Sequence, residues 1–295
     1  MNIAVADIET APPSPRQLME QALAPHLLLG MPHLTPSGLS ETWLMKELGH
    51  RHWLMLALEL GMDNADFRTP EGDEAYAAIC ATSLESQGLS DIRANDVLSI
   101  RSDLVAVSRT RFESRHRLYC GSRCVGRAAL LSTFVSRHGN GNRSIARTMV
   151  AGSPSLRSVQ PSLLIDLSAA LKAGCFDRFS GLEAPANPPP AMTFTPSASQ
   201  EFNGAGLFYF AEFQALADRA FEHWQGNVAE PLATSSRHVS FAGNIEPGEP
   251  VSVALVRRSA DGLSTADHLL GSDGRLLAVI VTNRLGCRSP HVRKG

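Results

Sequence analysis

A duplicated α+β chain, in which each of two antiparallel sheets wraps its own long helix, is the architecture that three observations point to. The first is length: 295 residues is about twice a domain of ~150. The second is order, because each half runs from a glycine-containing turn into one apolar-rich helical stretch and then into several strand-like stretches. The third is an internal echo. Gly38-Leu39 and Gly206-Leu207 both open the helix, His52-Trp53 and His223-Trp224 recur further along it, and Phe134-Val135-Ser136-Arg137 resembles Ile280-Val281-Thr282-Asn283-Arg284 in the last strands. The first two offsets differ by about one helical turn, so one of those anchors is displaced or arises by chance.

In the first half, Pro36-Ser37-Gly38-Leu39-Ser40 leads into a helix over Glu41–Leu60. Its apolar residues, among them Trp43, Leu44, Leu48, Leu54 and Leu58, cover more than one stripe, as a helix largely enclosed by sheet requires. Strands follow at Asp96–Ser108, Arg111–Tyr119 and Gly126–Arg137, and the last is apolar on both faces and so covered on both. Pro161–Gly174 reads as a connecting helix, with proline in the first turn and glycine at the left-handed stop. Gly181–Pro190 ends in three consecutive prolines, which continue neither a helix nor a central strand, and reads as an extended surface connector. In the second half, Gly204-Ala205-Gly206 precedes a helix over Leu207–Trp224. Strands are expected at Arg237–Ile245, Val251–Arg257, Gly262–Leu270 and Leu276–Thr282, with Ser272-Asp273-Gly274 as a hairpin turn. The expected organisation is an N-terminal unit over 1–180, including an N-terminal extension and the connecting helix, a proline-rich linker over 181–190 and a C-terminal unit over 191–295. Side by side, two such units would share one continuous sheet and hide two edges.

Composition narrows the function. Hydrophobic residues at 43% and charged residues at 19% are ordinary for a globular protein. Lys plus Arg at 27 against Asp plus Glu at 29 leaves a net charge of −2, without a global field to hold nucleic acid or an anionic membrane. Aromatics at 6% argue against a base-stacking surface. The start, Met1–Glu9, lacks the basic n-region of a signal peptide, and the longest apolar runs fall well short of the ~18 residues a membrane span needs. Five scattered cysteines, Cys80, Cys120, Cys124, Cys175 and Cys287, lack zinc-ligand spacing and read as reduced thiols. The expectation is a cytoplasmic protein without a metal.

The second-half segment Glu201-Phe202-Asn203-Gly204-Ala205-Gly206-Leu207-Phe208-Tyr209-Phe210-Ala211-Glu212-Phe213 resembles the hot-dog-fold thioesterase pattern, an Asp-x-x-Gly leading into an aromatic-rich helix. Aligned in that way, Asn203 falls where hydrolytic members keep a catalytic aspartate, and Gly206 takes the place of the motif glycine. The first-half segment Met31-Pro32-His33-Leu34-Thr35-Pro36-Ser37-Gly38-Leu39-Ser40-Glu41, continuing to Trp53, is similar to the double-hot-dog acyltransferase/decarboxylases of trans-acyltransferase polyketide pathways, the leinamycin-type enzymes. Together the match extends from roughly Met31 to Arg288. The resemblance implies a double hot-dog, with methylmalonyl-coenzyme A as acyl donor, an acyl carrier protein as acceptor and partner, and release of CO2. Coenzyme A and phosphopantetheine would be substrate carriers rather than cofactors, and a homodimer is left open. The tyrosines are Tyr76, Tyr119 and Tyr209, none of them in the first-half motif, so an acyl-tyrosine scheme has no residue there.

Decarboxylation of a malonyl-type thioester needs the thioester oxygen held by preorganised donors while an enolate forms. The first N–H groups of a helix lack partners and favour negative charge. Gly38-Leu39-Ser40 and Gly204-Ala205-Gly206 are therefore the two candidate oxyanion sites, with Gly38, Leu39, Gly204 and Gly206 as backbone elements. Asn203 reads as a neutral amide donating to an enolate, or as a loop or cap residue. Ser40 with Glu41 reads as a helix cap with a first-turn acid, or as a donor or acyl acceptor with its orienting partner. His33 reads as a proton shuttle or a loop histidine, His50 and His52 as core or rim histidines, and Phe208, Tyr209, Phe210 and Phe213 as core or acyl-binding wall. The glycine-rich loop with Arg137, Asn142 and Arg143, and Arg284 at the matching place in the second half, are candidate phosphate contacts or solvated turns. No P-loop, dinucleotide fingerprint, His-Glu-x-x-His or Gly-x-Ser-x-Gly elbow is present. A hot-dog thioesterase or dehydratase, using Glu41 or Glu201 as the acid, and a non-catalytic module that binds carrier protein are the alternatives.

Overall fold

A computed structural model describes residues 12–151, 159–226 and 232–286. In chain order the first half contains α1 (Pro15–Ala22), β1 (His26–Leu28), β2 (Leu34–Thr35), β3 (Gly38–Leu39), α2 (Glu41–Glu59), β4 (Ala75–Ser86), β5 (Val97–Ala106), β6 (Arg111–Cys120), β7 (Arg123–Arg137) and β8 (Ile145–Arg147). Then come α3 (Leu163–Lys172), β9 (Met192–Phe194), α4 (Phe210–Gln225), β10 (Leu232–Phe241), β11 (Val251–Arg258), β12 (Ser264–Gly271) and β13 (Leu276–Gly286).

One 11-stranded antiparallel sheet runs β1-β5-β6-β7-β4-β10-β13-β12-β11-β9, with β8 added to β7. Both units therefore arrange their four long strands in the same order, first, last, third, second, with a three-residue strand on the outer edge. The units meet where β4 pairs with β10, Ser83 opposite His238 and Glu85 opposite Ser236. This is the shared sheet expected from two units side by side, and it removes two edges that would otherwise invite pairing with other chains. Each sheet curls around its own helix. Leu44, Met45 and Leu48 of α2 are buried with Leu84, Leu118 and Leu130, while Phe213, Leu216, Ala217 and Ala220 of α4 are buried with Val239, Leu269 and Ile280.

The opposite face of the sheet is covered across the seam by α3. Leu164 packs on Ala81 and Leu131, Leu171 packs on Ala266, Val279 and Val281, and Ser168 hydrogen-bonds Ser240 at 2.6 Å. That explains why β7 is apolar on both faces. Residues 181–190 carry no helix or long strand; Glu183 bridges Arg258, and the Pro190 carbonyl accepts from Trp224 Nε1 at 3.1 Å.

Three expectations need correction. β4, the strand that carries the seam, has no counterpart among the anticipated strands, because Ala75-Tyr-Ala-Ala-Ile-Cys-Ala is alanine-rich and lacks alternation. The second long helix starts at Phe210 rather than Leu207, since the preceding residues form a loop held by the Asn203 side chain. The His-Trp echo is coincidental: His52 is buried in mid-helix, whereas His223 is exposed in the last turn of α4. Met1–Glu9, Cys287 and Arg288 lie outside the described residues.

Candidate functional site

The mouth of α2 opens into a cleft of about 510 Å3 built by both units. Thr35 to Thr42 of the first unit form one wall; Asp218, Phe221 and Glu222 of α4, Leu232 to Thr234 of β10 and Arg284 of β13 form the other. The approach to the helix is fixed by the β2–β3 hairpin, with Leu34 opposite Leu39 and Thr35 opposite Gly38. Gly38 has φ +111°, and a Cβ there would lie 2.6 Å from Ser90 Cα, so no other residue fits. Ser40 caps the helix, its hydroxyl accepting from Trp43 N at 3.2 Å. The N–H groups of Glu41 and Thr42 then stand at the helix end, where no intrahelical acceptor exists. His33 accepts from Gly30 N at 2.8 Å through Nδ1 and its ring lies 4.6 Å from that of Trp43, so it braces the hairpin.

Behind this mouth lies a cluster of two carboxylates and two guanidiniums. Asp218, halfway along α4, accepts from Arg237 Nη2 at 2.8 and 2.9 Å and from Arg284 Nη2 at 2.8 Å. Arg237, only 1% exposed, also donates to the Gln214 carbonyl and to Thr234, and its Nε lies 3.0 Å from Glu41 Oε1 in an ion pair too bent to be a hydrogen bond. Thr234 donates to Glu41 Oε2 at 2.8 Å. Arg284 lies over the Phe221 ring at 3.7 Å and donates to Thr265, whose hydroxyl donates onward to Asp267.

Burial works against the Asp218 charge, but Arg237 and Arg284 outweigh it and hold this carboxyl below the usual range. Burial pushes the Glu41 carboxyl up, with Arg237 opposing. Burial also pushes Asp267 up to about 7, with Arg284 pulling the other way. The Asp218 side chain remains 37% exposed at the cleft. An ionised carboxylate therefore faces a helix N-terminus across an open space.

The second mouth, at α4, is built differently. Asn203 Oδ1 accepts from Ala205 N at 3.1 Å and Leu207 N at 3.0 Å, so this side chain shapes its own turn. Gly204 is exposed, and the Gly206 carbonyl accepts from Asn142 Nδ2 at 2.8 Å. Tyr209, at the cap position of α4, provides no side-chain cap. Tyr209 and Phe210 press on Gly49 of α2, where a Cβ would come within 2.7 Å of the Phe210 ring. Opposite this mouth α2 presents a glycine and Lys46, which pairs with Glu212 at 2.5 Å, whereas α4 presents Asp218 to the α2 mouth.

The candidate phosphate contacts are engaged within the protein. Arg137 donates to the Asn142 side chain at 2.8 Å and to the Ala205 carbonyl at 3.0 Å, and Asn142 also ties to Ile245 and Glu246. Both brace the α4 loop. Arg143 pairs with Glu249 at 2.7 Å and Asp273 at 3.2 Å on the surface, while Arg284 is inside the α2 cluster.

The structure brings Leu39, Ser40, Glu41 and Arg284 to one cleft, with Gly38 in the hairpin that shapes it; the sequence singled out each of these separately, Arg284 as a phosphate contact, and did not anticipate Asp218, Thr234 or Arg237. Parity offered a signal, since Arg237 shares the core-facing register of Val239 and Phe241. Asp218 shares the inward stripe of Gln214 and Phe221 at helical spacing. A buried strand arginine and a helix-stripe aspartate are each other's natural partners.

No protein-family model matches the chain, and no curated protein matches it in sequence. Among solved structures it is similar to an acyl-ACP thioesterase from Bacteroides thetaiotaomicron VPI-5482, with TM-score 0.60 and 10% identity over 90% of this chain and 99% of that one. It is also similar to the 12:0-ACP thioesterase from Umbellularia californica, with TM-score 0.61 and 10% identity over 88% and 96% of the two chains. At such identity the likeness is one of fold. The protein is a double hot-dog. Among the described residues, no helix is long and apolar enough to cross a membrane, and no group of three His, Cys, Asp or Glu side chains is placed to hold a metal ion.

Proposed function

We propose that the protein hydrolyses acyl thioesters at the α2 mouth, the acyl group arriving on a pantetheine arm of an acyl carrier protein or of coenzyme A. One observation carries this reading: of two pseudo-equivalent helix mouths, each beside a cavity, that of α2 faces the ionised Asp218, whereas α2 offers the α4 mouth Gly49 at the same position of the helix. In this reading the thioester carbonyl rests on the Glu41 and Thr42 N–H groups, which stabilise the oxyanion as it forms. Asp218, held ionised by Arg237 and Arg284, takes a proton from water as its oxygen bonds to the acyl carbon. The C–S bond then breaks, and the proton passes to the departing thiolate. The fold shared with acyl-ACP thioesterases supports the same class of substrate.

Transfer with decarboxylation receives less support. A malonyl-type substrate brings a second carboxylate, yet both arginines of the cleft are already engaged by Asp218 and Glu41. The Asn203 carbonyl oxygen is occupied by its own turn. The deciding experiment offers the protein saturated acyl-carrier proteins and, separately, methylmalonyl-coenzyme A with holo-carrier protein, and weighs the carrier by mass spectrometry. Free acid plus holo-carrier is expected. A propionyl-carrier adduct would establish transfer instead, and an unmodified carrier in a stable complex would indicate a binding module.

A further inference from the structure

The outer face of the first sheet, away from α2, carries three arginines in one register row. Arg101 of β5 is opposite Arg117 of β6, which is opposite Arg127 of β7. All three are exposed, and none makes an ion pair within 4.0 Å among the described residues. The Arg101 guanidinium lies 4.8 Å from the Tyr119 ring centre. Like charges directly opposite on neighbouring strands weaken a sheet, and Arg117 has an arginine on each side. Glu85 continues the row on β4 and Asp103 lies one level away, while the Glu113 carboxylate is already bonded to Arg115 and Ser162. Arg115, Arg117, Arg127 and Tyr119 line a shallow groove of about 590 Å3, with Glu85 and Glu113 at its β4 and α3 side. α3 covers the seam beside it, reached by an Arg115 bond to the Pro161 carbonyl.

The row lies at the same end of the sheet as the α2 cleft. Leu84, next to Glu85, faces the other side and lines that cleft, as do Leu89 and Ser90 just beyond β4. We propose that the arginine row is the docking site for an acidic helix face on the protein that carries the acyl thioester. This rests on the reading above that the acyl group arrives on a carrier protein. Neighbouring strands set the backbones of the three arginines about 5 Å apart, and the Cβ atoms of carboxylates at i, i+3 and i+4 on a helix repeat at about 5–6 Å. Three donors spread along a line suit such a ladder better than one phosphate, which needs converging donors.

The test titrates fluorescently labelled apo carrier proteins of the source organism, which hold no pantetheine, against the intact chain at low and high salt. Arg117→Glu/Arg127→Glu is expected to weaken binding of one carrier at least tenfold and flatten its salt dependence. Hydrolysis of a small acyl-pantetheine, measured alongside, is expected to stay at the level of the unmodified protein. Arg117→Gln/Arg127→Gln serves if the double reversal does not fold, with a loss of at least threefold expected. Carrier binding untouched by both variants, no binding of any carrier, or tighter binding of duplex DNA than of carriers would each overturn the proposal. Because apo carrier holds no thioester, the binding result stands even if acyl-pantetheine is not hydrolysed, a result that would count against the hydrolase alone.

Discussion

Glu41, the first residue of α2, meets Arg237 of β10 at 3.0 Å, so the helix mouth of one unit is tied to the sheet of the other. Thr234 adds a second tie to the same carboxylate at 2.8 Å. The cleft is thus a property of the joined pair of units, and its stability and chemistry depend on the same few side chains.

Replacing Arg237 by Met removes the shared partner of Glu41 and Asp218. Uncompensated buried charge of that kind costs about 3–5 kcal/mol, read as a lower midpoint in urea unfolding at pH 7. A change below about 1 kcal/mol would mean that solvent already screens the cluster.

Asp218→Asn keeps the shape and removes the base. Hydrolysis of acyl-carrier protein is expected to fall about 10²–10⁴-fold in kcat, with the circular dichroism spectrum preserved. Full activity in this variant would take Asp218 out of the reaction.

Acid should unfold the first unit through two histidines. His52 is hydrogen-bonded to Ser114 and Ser132 at 2.7 Å, and His116 to Ser102 and Ser114 at 2.8 Å; burial pushes each down to about 3. Their unfolded value is about 6.5, so the stability they contribute is fully present above that pH and is lost as pH falls toward 3. The expected slope is about 1.4 kcal/mol per pH unit for each histidine, measured by urea unfolding between pH 7 and pH 4. Asp267, raised to about 7, works in the opposite direction over pH 4 to 7, so Asp267→Asn should steepen the acid loss. His116→Gln should make it shallower by about one proton's worth.

Two substitutions separate the mouths. Gly38→Ala forces Leu89 and Ser90 to move and is expected to destabilise by about 1–3 kcal/mol and to cut hydrolysis. Asn203→Asp retains both turn hydrogen bonds, so melting temperature and product distribution should stay as in the unmodified protein. A new hydrolytic or lost decarboxylating activity in Asn203→Asp would return the chemistry to the α4 mouth.

The duplication was legible because helix burial leaves a dense apolar signature, as in Trp43 to Leu58, and hairpin turns such as Ser272-Asp273-Gly274 punctuate the strands. β4 was not, because its alanines, Ala81 under α3 and Ala75 beside Phe67 and Phe134, carry no alternation. The cleft was half legible. Glycine, serine and glutamate before an apolar helix mark a mouth locally, but Asp218, Arg237 and Thr234 acquire meaning only once β10 lies beside β4. Arg137, Asn142 and Arg143 show the converse limit: a glycine-rich basic loop after a strand looks the same in sequence whether its donors bind phosphate or neighbouring carbonyls and carboxylates.

That α2 carries Gly49 where α4 carries Asp218 has a further consequence. In a symmetric pair of separate single-helix subunits, any change that takes the acid from one opening takes it from its mate, and both reaction centres vanish together. Covalent fusion lifts that constraint. One pole is then free to harden into scaffold while the other keeps its charges, and a mutation at either is felt once per molecule.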